Sequence, residues 1–528
     1  MLSRTACAWV LALGVAGMAG PLQAQEAGVQ GRAVAPARLS EPAPDMPSTG
    51  RDGASIQTAL LSWPTTDAGA PAVLSETMMT ALAVQPLIQA GIAPDSFGLV
   101  VAPLGSGTLQ VNHHGQQPFN PASTMKLVTT YAALSMLGAD YRWATPILTT
   151  GEMRDGVLYG DLIVQGGGDP RLLIEHLQAL MAELRAQGLR EIRGNLVIDP
   201  SRYAPGVGVG AAFDGDDSQA YNVLPHPALM NFKATKLIVD PKKRQVTTDP
   251  PLADVQLKYG VRVLKGRCRS SGTRLGVNES LARNGKPVIH VTGTQVRACG
   301  PQQFYASVLD HPQFMHGIFK AAWQAQGGSF TGRTVIRPGA GEKGKFFFAW
   351  LSPHDMTAVV HDINKFSNNV MTRMLLLEMA AIEGQKPMVP VAAGQWLSRW
   401  YAQQGLSLPS LVMENGSGLS RVERISAGDL VAVLKRAAQD ADTAVPFVDS
   451  LPVVGIDGTM RARLRFDPVA GQAQIKTGTL SDVRAIAGYV TAASGERYAI
   501  ALLINGDYNG HRMQSLQDEV LRWVYRHG

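Results

Sequence analysis

The sequence predicts an α/β fold: an antiparallel sheet flanked by helices, interrupted by a large, mostly β insertion. Three observations carry this. Hairpin patterns stand near both ends, at 97–112 and 484–504. Strong helical patterns adjoin each of them. Between about 145 and 345 the texture changes to many glycines and short β-like runs.

In chain order, Ser75 is placed to cap a helix reaching about Ala90. Phe97 to Ala102 and Thr108 to Asn112 flank Gly105-Ser106-Gly107 and read as a hairpin. Asn120-Pro121-Ala122 opens a helical pattern through Leu137, with proline well placed near a helix start. The middle segment holds one clear helix, Arg171 to Gln187, and a strand-rich stretch at 251–300. Ser352-Pro353 is the expected start of a helix to about Asn364, and Asn369 to Glu383 is the next. Gln474 to Thr479, Arg484 to Thr491 and Tyr498 to Ile504 read as strands, the last two joined at Ser494-Gly495-Glu496. The amphipathic stretch Ser515 to Tyr525 reads as a last helix packed on the core, with a helix lying on a membrane surface as the alternative. The expected division is 71–145 with 346–528 as one split domain, and 146–345 as an inserted module of two subdomains.

The chain has 528 residues, 45% hydrophobic and 17% charged, enough for more than one core. Its net charge of +6 fixes no partner. No Lys/Arg cluster is interleaved with aromatics, which argues against nucleic-acid binding. Arg4, the apolar run Ala6 to Gly20 and Leu22-Gln23-Ala24 read as a signal peptide over 1–24, cleaved before Gln25. An uncleaved anchor is the alternative. No later stretch is long and apolar enough to span a membrane. Residues 25–70, rich in Ala, Pro, Gly and Ser, read as a tail or linker. Cys7 leaves with the signal. Cys268 and Cys299 remain, either bridged, as export favours, or as two buried thiols.

Three short motifs carry the chemistry. In Ser123-Thr124-Met125-Lys126 a helix puts hydroxyl and amine on one face. Serine needs an adjacent base, and lysine serves only when neutral. Moving lysine from about 10.4 to near 7 takes roughly 4 to 5 kcal/mol of environmental bias. Burial and a second cation supply bias of that sign. Ser367-Asn368-Asn369 lies between two predicted helices. Its hydroxyl is expected to link to Lys126 and relay a proton, and the Asn369 amide both donates and accepts. Lys476-Thr477-Gly478 sits on a predicted strand, followed by Thr479. Lys476 is the second cation, Thr477 and Lys476 suit a substrate carboxylate, Gly478 leaves room for a substrate backbone, and the N–H groups of Thr479 and Ser123 suit an oxyanion. Each pattern alone is weak. Each occurs once, and their order is that of penicillin-recognising serine enzymes.

At these residues the chain resembles the D-alanyl-D-alanine carboxypeptidase/endopeptidase family, the class C low-molecular-mass penicillin-binding proteins. Pro121-Ala122-Ser123 with Lys126-Leu127-Val128-Thr129 resembles the family's nucleophile segment. Gly166-Gly167-Gly168-Asp169-Pro170 and Gly194-Asn195-Leu196-Val197-Ile198-Asp199 resemble its inserted domain. Asn415-Gly416-Ser417-Gly418-Leu419-Ser420-Arg421 and Gly458-Thr459-Met460 resemble later segments. The gap between the first and second motifs is more than twice that between the second and third, as the family's insertion requires. The resemblance covers about residues 70 to 528.

It implies a serine β-lactamase/transpeptidase-like domain with a mostly β insertion, and a serine DD-carboxypeptidase and DD-endopeptidase acting through an acyl-enzyme on Ser123. The implied substrates are peptidoglycan stem peptides and cross-links, the implied inhibitors β-lactams, and the implied location the periplasm. No metal or organic cofactor is expected. The resemblance also assigns Arg421 and Asp216 to the diaminopimelate end of the stem peptide. Their bland readings are a surface ion pair for Arg421 and a solvated loop carboxylate for Asp216, with Asp217 as a rival neighbour. His113-His114 lack a third ligand and read as exposed polar residues. Gly166-Gly167-Gly168 reads as a tight turn rather than a phosphate loop. Two rivals share the motifs: a serine β-lactamase or esterase, which must deacylate fast, and a non-catalytic β-lactam sensor of the cell wall, which turns over no peptide.

Overall fold

A computed structural model describes residues 75–269 and 272–528. The signal peptide at 1–24, the tail at 25–70 and Cys7 lie outside the described residues.

A five-stranded antiparallel sheet anchors the fold. Its order is Val111–His113, Phe97–Pro103, Arg497–Asn505, Val483–Thr491 and Ala473–Leu480. Side chains alternate across a strand, so each strand feeds two cores. Ile500, Leu502 and Ile504 face a core closed by the first helix, Glu76–Gln89, and the last, Gly510–His527. Ala499, Ala501 and Leu503 face the opposite core, which holds the helices Lys126–Leu137, Met356–Phe366, Asn369–Ile382, Pro390–Gln403 and Ala427–Gln439. Alanines on that face let the helices approach closely. Among the described residues no helix is long and apolar enough to cross a membrane.

Between these parts runs a second body. A mixed sheet orders Thr334–Ile336, Leu196–Asp199, Leu162–Gln165, Arg142–Thr149 and Lys345–Asp355. Two three-stranded sheets follow within 235–306, one of them formed by Gln256–Leu264, Pro287–Val296 and Arg274–Leu281. Cys268 and Cys299 are joined in a disulfide beside it. Chain entry and exit are paired, because Arg142–Thr149 and Lys345–Asp355 are antiparallel neighbours. On this topology we propose the division of 71–145 and 346–528 against 146–345, with the boundary passing through that strand pair.

Three local expectations need correction. Ser352-Pro353 does not start a helix; it lies in the strand Lys345–Asp355, and Asp355 caps Met356–Phe366 by accepting from Ala358 N at 3.0 Å. A second helix in the insertion, His311–Ala325, went unseen. Asp310 and Gln313 form its capping box, and Gly317 interrupts its apolar face where residues Leu252 and Ala253 pack against it. The second strand of the first hairpin begins at Val111, not Thr108: Leu104 N still bonds to Arg497 O beside the first strand, and residues 104–110 make the connection.

Candidate active site

Ser123 lies in a single 3-10 turn, Ala122–Met125, that runs directly into Lys126–Leu137. Lys126 Nζ is fully buried, 3.0 Å from Ser123 Oγ, 2.7 Å from Asn369 Oδ1 and 2.5 Å from the Ser417 carbonyl oxygen. Asn369 Nδ2 donates to Tyr221 O at 3.1 Å, which fixes the amide's orientation. Asn369 Oδ1 and Ser417 O have no proton to give, so each takes an N–H. The remaining direction on Nζ faces Ser123. On neutral lysine that direction is the lone pair, and Ser123 O–H donates into it. Burial pushes the Lys126 amine well below its ordinary value; Lys476 and Arg373 push the same way, and Glu423 opposes them.

Lys476 is also fully buried, on the edge strand Ala473–Leu480. Its Nζ donates to Ser367 Oγ at 2.9 Å and to Thr477 O at 3.0 Å. Burial pushes its pKa down to about 7. The sequence reading linked Ser367 to Lys126; the structure puts it on Lys476 instead. Three partners already occupy Lys126, and Ser367 ends the helix Met356–Phe366 in the left-handed region at φ 58, which turns its hydroxyl toward the strand. A serine there is strained and is held by what surrounds it. Asn368 caps the next helix by accepting from Met371 N at 3.0 Å and so sets Asn369 at its first turn.

The third motif lies against the first. A Cβ on Gly478 would stand 2.6 Å from Pro121 O and 3.0 Å from Ser123 N. Gly418, at φ +79, approaches the same peptide, and a Cβ there would overlap Ala122 O. Two glycines therefore let two backbones flank the Ser123 peptide. Thr477 Oγ1 donates to Thr459 Oγ1 at 2.9 Å, and Thr479 is exposed one residue beyond Gly478.

Arg421 and Asp216 stand outside this knot. Arg421 pairs with Asp482 at 2.6 Å and lies over the Phe213 ring at 4.7 Å. Phe213, from the insertion, packs with Ala122, Leu419, Leu480 and Val483, so its loop borders the site. Asp216 is exposed and takes hydrogen bonds from Ser218 and Gln219 of its own loop, which hold its carboxyl below the ordinary range. His113 stacks on Phe97 and bonds to Pro94 O. Among the described residues no group of three His, Cys, Asp or Glu is placed to hold a metal ion.

Sequence reasoning missed Ser417, Thr459, Arg373 and Glu423. The segments carrying Ser417 and Thr459 stood out, but not their contacts, with Lys126 at a separation of 291 residues and with Thr477 at 18.

The sequence profile of the D-Ala-D-Ala carboxypeptidase 3 (S13) family matches residues 82–526. The chain belongs to that family. As an S13 member it is a serine-type D-Ala-D-Ala carboxypeptidase. It is 28% identical over 445 residues to a D-alanyl-D-alanine carboxypeptidase of an Actinomadura species, covering 80% of each chain. It is 25% identical over 422 residues to the D-alanyl-D-alanine carboxypeptidase DacB of Haemophilus influenzae, covering 78% of this chain and 86% of that one. The crystal structure of penicillin binding protein 4 from H. influenzae superposes with a TM-score of 0.71 at 23% identity, covering 85% of this chain and 99% of that one, and so shares the S13 fold.

Proposed function

We propose that this enzyme hydrolyses D-Ala-D-Ala and D-Ala-diaminopimelate bonds of peptidoglycan through an acyl-enzyme on Ser123. The observation that carries this reading is buried Lys126 Nζ 3.0 Å from Ser123 Oγ with two obligate acceptors on its other sides; on the neutral amine these take both N–H groups and leave the lone pair for the Ser123 hydroxyl. Lys126 takes the Ser123 proton as Oγ attacks the D-Ala carbonyl. The oxyanion rests on the N–H groups of Ser123 and Thr479. Ser367 gives its proton to the departing amine and is reprotonated by Lys476, whose pKa of about 7 suits transfer in either direction near neutrality. In hydrolysis the water's proton returns along Ser367 and Lys476, and Lys126 gives its own back to Ser123 Oγ.

Lys476 and Thr477 hold the terminal carboxylate, and Asn369 the peptide. The insertion's 213–221 loop and Arg421 form the rim that receives the diaminopimelate end, with Asp216 as the acidic partner. A β-lactam acylates the same serine because it presents a strained amide to the same groups. The leader at 1–24 supports export to the periplasm, where this substrate lies.

The test is incubation of the purified mature chain with a pentapeptide ending in D-Ala-D-Ala and with cross-linked muropeptides. Release of D-Ala and splitting of the cross-links are expected; neither product would overturn the proposal. A penicillin acyl-enzyme lasting minutes or longer separates it from a β-lactamase.

A further inference from the structure

Glu423 is fully buried two residues beyond Arg421, yet it touches no substrate-facing group. Its Oε1 accepts from the backbone N–H groups of Glu414, Asn415 and Gly416 at 3.1, 2.8 and 2.7 Å, and its Oε2 from Gly418 at 2.8 Å. Burial raises the Glu423 carboxyl above its ordinary value, and the four backbone N–H groups pull the other way; four donors on two oxygens suit a carboxylate, since a protonated acid would point an O–H at an N–H. The loop so gathered is the one whose Ser417 carbonyl meets Lys126 Nζ. It is tied again to the Lys126 helix where Thr129 Oγ1 donates to Gly416 O at 2.8 Å. A buried charge is costly unless hydrogen bonds compensate it, and these four do so.

We propose that Glu423 is a positioning residue for acylation: it fixes the Ser417 carbonyl on Lys126 Nζ, and its negative charge tunes Lys126 as a base. The proposal rests on the reading of Lys126 as base and Ser123 as nucleophile. The charges facing Lys126 are Lys476 from the edge strand, Arg373 from the helix Asn369–Ile382, and Glu423 from the loop; Glu414 in turn acts on Arg373. Glu423 is the one of the three facing charges that favours protonated lysine. Removing it makes Lys126 neutral at lower pH.

The experiment is the rate of penicillin acylation against pH for wild type, Glu423→Gln and Glu423→Asp, with thermal melts alongside. In Glu423→Gln the acid limb is expected to move down by about one pH unit, and the plateau to fall by about tenfold because an amide N–H now faces a backbone N–H. A folded Glu423→Gln whose limb stays at the wild-type position, whatever its melting temperature, overturns the proposal. If Glu423→Gln does not fold, Glu423→Asp decides. It keeps the charge and shortens the reach, so the limb should stay while the plateau falls; a wild-type plateau overturns the proposal. Labelling of Ser123→Ala by penicillin would instead overturn the underlying reading, so the two failures are distinct.

Discussion

Ser367 Oγ lies 2.9 Å from Lys476 Nζ, while Lys126 Nζ is shared among Ser123, Asn369 and Ser417. The site thus has two separate lysine–serine pairs. In the proposed mechanism Lys126 addresses the attacking oxygen, and the Ser367–Lys476 pair the leaving group.

The second pair gives a stability signature. Lys476 is held at about 7 in the folded chain against 10.5 ordinarily. Its folded value is lowered, so the unfolded chain binds more protons between those values and stability rises with pH across that window. The cost is fully present below about pH 7. Lys476→Met should therefore melt higher than wild type at pH 6.5, with the gap closing toward pH 10. Its acylation by penicillin should fall by about a hundredfold or more. Melts at several pH values, with labelling rates, check both.

The two glycines beside Ser123 are steric requirements. Gly478→Ala brings a methyl to 2.6 Å from Pro121 O, and Gly418→Ala adds a left-handed backbone to an overlap with Ala122 O. Each should cost about 1–3 kcal/mol of stability, Gly418→Ala the more. Acylation should fall further than stability does, because the Ser123 peptide itself is displaced. Chemical denaturation and labelling rates measured together test this.

The insertion is fastened to the helix that carries Asn369. Glu378, fully buried on that helix, is paired with Arg202 of the insertion, with Nε–Oε2 at 2.7 Å, and also accepts from Tyr141 OH at 2.7 Å. Arg202→Met strands the carboxylate and should cost about 3–5 kcal/mol. The Asn369 contact with Tyr221 O depends on the same docking. Peptide KM should rise more than penicillin acylation slows.

Reduction of Cys268–Cys299 should act locally. The bridge spans a sequence separation of 31. Its loss should cost about 3–4 kcal/mol by the loop-entropy estimate. The bridge lies in the insertion, so a Cys268→Ser, Cys299→Ser variant should melt lower yet still react with penicillin.

What the sequence made legible was local. Caps and motifs announce themselves within a few residues: Ser75 caps its helix as expected, and Ser123 and Lys126 share a face because one turn separates them. The strands at 473–505 were readable because their two-residue alternation feeds two cores at once. What stayed hidden depends on distant partners. Ser367 was assigned to Lys126 because nothing near it in sequence names Lys476 as its neighbour. The helix His311–Ala325 was masked by Gly317, whose reason is a close approach by Leu252 and Ala253. Asp355 displaced Ser352 as a cap because pairing with Arg142–Thr149 keeps the chain extended three residues longer. Glu423 takes its four donors from residues 414–418, close by in sequence, but the Lys126 amine that this loop meets is 291 residues from Ser417.

The central claim is that Ser123 carries the acyl group. Mass spectrometry of the penicillin-treated enzyme, with Ser123→Ala alongside, tests it most directly. The expected result is one penicilloyl adduct on the wild-type peptide that contains Ser123 and none on the variant. An adduct on another residue, or equal labelling of both proteins, would contradict the account.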